Sequence, residues 1–282
     1  MRFLPSFGRN KLAYAGLVVF ASIALLALLA PFVAPYDPHE MSYTASHQLE
    51  SLLKPSARHW LGTTLQGRDV LSQLIFGTRI ALLVGIVDAI LIGVIGTGVG
   101  IVSGYYSGKV DQILMRLVDI LYSIPFEPFA IAVLAILGTG LWRLILIIAI
   151  LLWRDPARVI RAQTLSLVQR PYVKSARAAG AGDLRIMLVH IAPSVLPLSL
   201  SYMALSAGWS IIAQTSISFL GFGDPNAISW GTMLNDVFAN GQTGNAWWWS
   251  APPGLMIVVL VLSIFLMSRA YEEMANPRLR KW

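Results

Sequence analysis

Between Gln169 and Pro197 the chain reads QRPYVKSARAAGAGDLRIMLVHIAPSVLP, a basic, polar passage set between long apolar stretches. Arg170, Lys174 and Arg177 recur at i, i+4 and i+7, so a helix here carries them as one cationic stripe. Tyr172, Ala176 and Ala179 give the same helix a small-residue face. Pro171 suits its first turn and Gly180 its end. Asp183 is then placed to cap a second helix, which enters the membrane through Pro193 and Pro197. The chemistry such a surface offers is docking: a short amphipathic helix held between two membrane helices can be pushed by a partner.

Other chemistry is thin. Asp88, Asp119 and Glu127 are the ionisable groups that fall within apolar runs. Glu127 lies in SIPFEPF, between Pro125 and Pro128. An unpaired charge at that depth costs at least about 2.5 kcal/mol, so Glu127 is expected to face protein or water rather than lipid. The prolines free backbone carbonyls, which are tolerated only beside a polar cavity or a packed neighbour. No Ser-His-Asp set or paired carboxylates can be read, and no G-x-x-x-x-G-K-[ST] phosphate loop occurs. Without cysteine, disulfides and thiolate metal sites are excluded. His39, His47 and His59 share one loop at spacings that suit no compact metal site and are expected as unligated surface residues.

The elements that must position these residues are helices in a bilayer. Hydrophobic residues make up 56% of the 282 and charged residues only 12%, against about 25% charged in soluble domains. An all-α polytopic membrane protein follows. Leu12–Ala34 is uncharged and longer than the 7 to 15 residues of a signal peptide's apolar region, so it is expected as an uncleaved first span. Further spans are expected over 80–106, 114–137, 144–153, 186–222 and 251–268, six in all. The chain divides accordingly into a tail and first helix (1–35), an external segment (36–78) and a five-helix core (79–282). Gly96, Gly100 and Gly104 form a row that lets another helix approach closely. Trp247, Trp248 and Trp249 are expected to anchor at the membrane interface.

Charge tests this arrangement. With both termini inside, sixteen Lys and Arg fall on the cytoplasmic side, including Arg2, Arg9, Arg278, Arg280 and Lys281, against five outside. That bias is the positive-inside pattern, which accounts for the net charge of +7 without nucleic acid.

Three stretches carry a resemblance. The 169–197 passage is similar to the signature loop of ABC-importer membrane subunits, Glu-Ala-Ala, three residues, Gly, nine residues, Ile, one residue, Leu-Pro. Ala176, Gly180 and Pro193 match, while Lys174, Ser175, His190 and Ala192 replace the Glu, Ala, Ile and Leu. In HWLGTTLQGRDVLSQLIFGTRIALLVGI, Gly62, Thr63, Gly67, Arg68, Asp69, Val70, Gly77 and Arg79 resemble the signature of the second permease in the dipeptide, oligopeptide and nickel branch. Thr64 and Gln73 depart from its Asp and Arg. Adjacent Arg68 and Asp69 are expected to form a structural ion pair. Phe219–Gly223 and Ser229–Leu234 resemble an outer segment of that branch.

The resemblance implies a type I ABC-importer permease fold in which Arg170, Tyr172, Lys174, Ala176, Arg177, Gly180 and Asp183 form a coupling helix against an ATPase. It implies a related permease, two ATPase subunits and an external binding protein as partners, in a cell inner membrane. ATP and magnesium are expected on the ATPases, with no cofactor here. Cargo is expected to be peptides or a small solute such as a nickel complex, with Glu127 and Asp119 on its path and Glu127 favouring cationic or amino-terminated solutes. An ion-coupled secondary transporter or channel is the alternative. A scaffold subunit of a membrane enzyme is weaker, since no haem or quinone set of histidines occurs in the spans.

Overall fold

The computed structural model describes residues 11–275, and among them the protein is helical, with two isolated bridges and no strand. Expectations for Arg2, Arg9, Arg278, Arg280 and Lys281 lie outside the described residues. The helices are α1 (Lys11–Leu28), α2 (Ala30–Val33), α3 (Val70–Tyr106), α4 (Gly108–Ser123), α5 (Phe126–Leu137) and α6 (Leu141–Leu152). They continue as α7 (Arg154–Val168), α8 (Pro171–Ala178), α9 (Asp183–Phe222), α10 (Trp230–Ala239) and α11 (Trp247–Ala275).

By length and composition α1, α3, α9 and the Trp247–Arg269 part of α11 can each cross a membrane. A fifth candidate is α4 joined to α5, bent by 87° at their junction rather than running straight over 114–137. Proline explains the break: Pro125 takes an extended conformation and caps α5, so the ladder of α4 stops at Ser123. The expected crossing at 144–153 is the 12-residue α6, which is only about 18 Å long and is prolonged past Trp153 by α7. At 37 residues α3 is about 55 Å long against about 30 Å of hydrocarbon, so it is longer than one crossing needs.

The glycine row of α3 meets α7. A Cβ at Gly96 would lie 2.7 Å from the Trp153 carbonyl, one at Gly100 2.8 Å from the Ala157 carbonyl, and one at Gly104 2.8 Å from the Arg161 carbonyl. Only hydrogen fits in so close a backbone approach. On its other sides α3 packs on α9 and α1, and α1 packs on α11. Within α9, π turns occupy Ile186–Ile191 and Ser218–Phe222. Pro193 lies just after the first, where it has no N–H to give the α ladder.

Segment 34–69 is irregular but densely bonded. His59 is fully buried, contrary to the expectation of a surface position, with Nδ1 2.8 Å from Asp69 Oδ1 and Nε2 3.3 Å from Glu50 Oε2. Arg58 pairs with Glu50 at 2.6 Å. Asp69 does not pair with Arg68; it is the N-cap of α3, accepting from the Ser72 amide at 2.8 Å. Capping needs the carboxylate to turn into the helix start, which points it away from its chain neighbour. The tryptophan expectation also changes, because Trp248 and Trp249 are buried and only Trp247 is exposed. Gly62, at φ +67°, lies under the Trp248 ring, and the Trp248 indole N–H donates to the Thr63 carbonyl at 3.3 Å. Trp230 closes over Gly77 and donates to the Leu74 carbonyl at 3.0 Å, so the segments around Gly62–Arg79 and Ser229–Leu234 form one packed end of the bundle.

Candidate functional site

At the opposite end, α8 begins and ends as its sequence requires. Arg170 is its N-cap and Pro171 its first residue. Gly180 has φ +84°, with its amide bonded to the Arg177 carbonyl at 3.0 Å and the Ala181 amide to the Ala176 carbonyl at 3.1 Å. These paired bonds are a Schellman termination, which needs the left-handed residue that glycine supplies. Val173 alone is buried, in a small core with Ile101, Ile160 and Ile186. Arg170, Tyr172, Lys174 and Arg177 stay exposed and Ala176 is half-buried, so most of the helix is free to meet a partner.

Asp183 does not cap α9; Gly182 holds that position and makes no side-chain bond there. Instead the Asp183 carboxylate accepts from the Tyr105 hydroxyl at 2.6 Å. The Arg177 guanidinium lies over the Tyr105 ring at 5.4 Å. Tyr105 thus touches both sides of the α8 turn from the end of α3. Nearby, Asp111 of α4 receives two bonds from Arg161 of α7, each 2.5 Å, and one from the Ser103 hydroxyl. Spacing could not have found these contacts, since Tyr105 and Asp183 are 78 positions apart.

Beside the α4–α5 bend lies a cavity of about 470 Å³, lined by Glu127, Arg154, Asp155, Tyr202, Ser206 and Trp209 among others. Glu127 sits in the first turn of α5, where a negative charge suits the helix dipole. Asp119 is not in this cavity. It pairs with Arg158 at 2.7 Å, both side chains being about half exposed. Tyr122 donates to Asp155 at 2.5 Å and carries the guanidinium groups of Arg154 and Arg158 over its ring at 4.7 and 4.3 Å. That cage fixes the end of α4 to the start of α7, at the mouth of the cavity. Arg154, the first residue of α7, thus lines the cavity as well.

Asp88 is fully buried on α3, and its carboxylate oxygens have no hydrogen-bond partner among the described residues. Nor do the described residues contain any group of three His, Cys, Asp or Glu that could hold a metal ion.

Comparison with known proteins accounts for this arrangement. A family described as the binding-protein-dependent transport system inner membrane component matches residues 96–281. A second, the N-terminal TM domain of oligopeptide transport permease C, matches residues 2–55. The chain is 37% identical over 280 residues to the di/tripeptide transport system permease protein DppC of Pseudomonas aeruginosa, covering 99% of this chain and 92% of that one. It is 33% identical over 270 residues to the nickel transport system permease protein NikC of Escherichia coli, covering 93% of each. Its fold is that of a chain in the inward-facing MetNI methionine ABC transporter, with a TM-score of 0.55 at 20% identity over 74% of this chain and 97% of that one. With more than half its length matched by one family model and relatives above 30% identity matched almost end to end, this chain belongs to the inner membrane components of binding-protein-dependent transport systems.

Proposed function

We propose that this chain is one permease subunit of an ATP-driven ABC importer, lining half of a path for peptides or a related small solute. Its partners are a related permease, two ATPase subunits and an external binding protein, in an inner membrane with both termini cytoplasmic. The family supports this reading, and one observation carries the mechanism: Tyr105 of α3 holds both sides of the turn between exposed α8 and α9, with Arg177 over its ring and Asp183 on its hydroxyl. A push on Arg170, Tyr172, Lys174, Ala176 and Arg177 is delivered to α3 and α9 through packed side chains and the turn at Gly180. Because α9 also lines the 470 Å³ cavity, displacement of its α8 end changes access to Glu127. ATP and magnesium belong to the ATPases, since the chain has no phosphate loop.

Within the cavity, Glu127 offers a carboxylate to an amino-terminated or cationic solute. Asp119 is engaged by Arg158, so its part is to hold α4 against α7.

The test uses the absence of cysteine in the chain. Lys174→Cys, paired with single cysteines in the ATPase groove, is expected to cross-link in an ATP-dependent manner. Glu127→Gln, at equal assembly in vesicles, is expected to slow uptake of cationic more than neutral substrates. Failure of the chain to bring down ATPase subunits on purification would defeat the proposal.

A further inference from the structure

A second cavity, of about 400 Å³, lies at the end of the bundle that carries α10, far along α9 from the coupling helix. It is bounded by segment 34–69, the start of α3, the kink after Ile217 and α10. Its volume is within the range of small-molecule sites. Part of its polar lining is already committed. Asp224 accepts from the Leu141 amide at 3.0 Å and the Asn226 amide at 2.9 Å. Asn235 donates to the Phe219 carbonyl at 2.7 Å, and Gln73 to the Pro38 carbonyl at 3.2 Å.

Two charged groups are left over. Arg68 makes no ion pair among the described residues, and its Nε is buried without a hydrogen-bond partner. A guanidinium carries five donors, and leaving a buried one unmet is costly. Asp236, from α10, is half-buried in the same cavity with no ion pair of its own. Arg68 is near enough to favour the charged form of Asp236, yet the two do not touch. Burial acts against that form and raises the Asp236 pKa, so an incoming cation would relieve it.

Opposite charges that face one cavity without meeting suit a ligand with complementary charges at separate ends. A simple anion would be repelled by Asp236, and a simple cation by Arg68. We infer that this cavity is a receiving subsite for small zwitterions, in which Arg68 takes a free carboxylate and Asp236 a free ammonium group, as an uncapped short peptide provides. The inference rests on the permease reading above and adds the ligand's end groups to it. A cavity of about 400 Å³ is of a size to take a small solute.

The experiment uses the assembled importer in nanodiscs without its binding protein, with dialanine as probe and saturation-transfer NMR titration as readout. Dialanine is expected to bind, and its N-acetyl and carboxamide analogues to bind at least about tenfold more weakly, since each loses one charge-assisted contact. Arg68→Gln and Asp236→Asn should each weaken dialanine to a similar degree, and each should be nearly indifferent to the cap on its own end. Equal binding of capped and free dialanine, or no binding at all, overturns the inference. Because that comparison uses the unaltered protein, it decides even if a variant fails to assemble. If Arg68→Gln releases the binding protein but leaves dialanine binding intact, the pair serves docking and the inference falls. ATPase assembly and uptake, measured in parallel, report on the permease reading separately.

Discussion

The Tyr105 hydroxyl, at the end of α3, donates to the Asp183 carboxylate at 2.6 Å and so links α3 to the start of α9, just past the coupling helix. Val173 supplies the apolar half of that attachment and Arg177, stacked on the Tyr105 ring, the cationic part. The consequence is mechanical. A helix of eight residues has little stability alone, so its position depends on these contacts.

Tyr105→Phe keeps the ring and its contact with Arg177 but deletes the hydroxyl. The lost bond to a charged acceptor is worth about 1.5 to 3 kcal/mol at most, enough to loosen the turn without unfolding the spans. ATPase subunits are expected to remain bound, while transport per ATP hydrolysed falls severalfold. Reconstituted vesicles assayed for uptake and phosphate release together decide it, and an unchanged ratio would show that the clasp transmits nothing.

Gly180→Val tests the Schellman turn. A Cβ there meets no atom within 4 Å, so any effect comes from the backbone at φ +84° and not from a clash. Holding a β-branched residue in that region costs about 1 to 2 kcal/mol, which the turn can escape by unwinding and misplacing α8. Folding should be retained and coupling lost. Lys174→Glu is the contrasting change: the side chain is exposed and outside every ion pair described, and exposed pairs contribute about 0 to 1 kcal/mol, so assembly should be unaffected. Co-purification yields for the two variants separate these expectations.

Gly100→Val addresses the α3–α7 contact. The new Cβ would lie 2.8 Å from both the Ala157 carbonyl and the Ile160 Cβ, and a helix backbone cannot step aside as a side chain does. Forcing the helices apart should cost roughly 1 to 3 kcal/mol. A melting temperature several degrees lower in detergent, with lost uptake, is the expected result; an unchanged one would mean that α7 moves freely on α3.

Much of this was legible from sequence where the signal is local. Proline and glycine punctuate α8 at its first residue and its left-handed end because those backbone demands belong to single residues. The Gly96, Gly100 and Gly104 row announced a close neighbour, though not that the neighbour is α7, since a row reports a vacancy and not its occupant. Burial in the irregular segment was illegible for the same reason. His59 looks like any loop histidine until Glu50 and Asp69 enclose it. Adjacent Arg68 and Asp69 suggested a pair, but neighbours along an extended backbone point apart, and Asp69 caps α3 instead. Hydropathy carries one span through Pro125 over 114–137, because it counts apolar residues across a proline without registering the 87° bend between α4 and α5.

Asp236 gives a pH dependence whose sign can be worked out. Burial raises its pKa in the folded protein, and Arg68 only partly offsets this. A carboxyl whose folded pKa lies above its unfolded value holds its proton more tightly when folded. Its favourable contribution is therefore complete below the unfolded value, near 3.8, and is lost as pH rises through the folded value. At neutral pH the native side chain is then a liability to stability. Asp236→Asn, which does not titrate, should raise the melting temperature near pH 7, with the gain shrinking as pH is lowered toward the unfolded value near 3.8. Taking the difference between variant and parent at each pH cancels every other titrating group. A variant that melts lower than the parent at pH 7 would mean that Asp236 is already stabilised as a carboxylate in the empty protein.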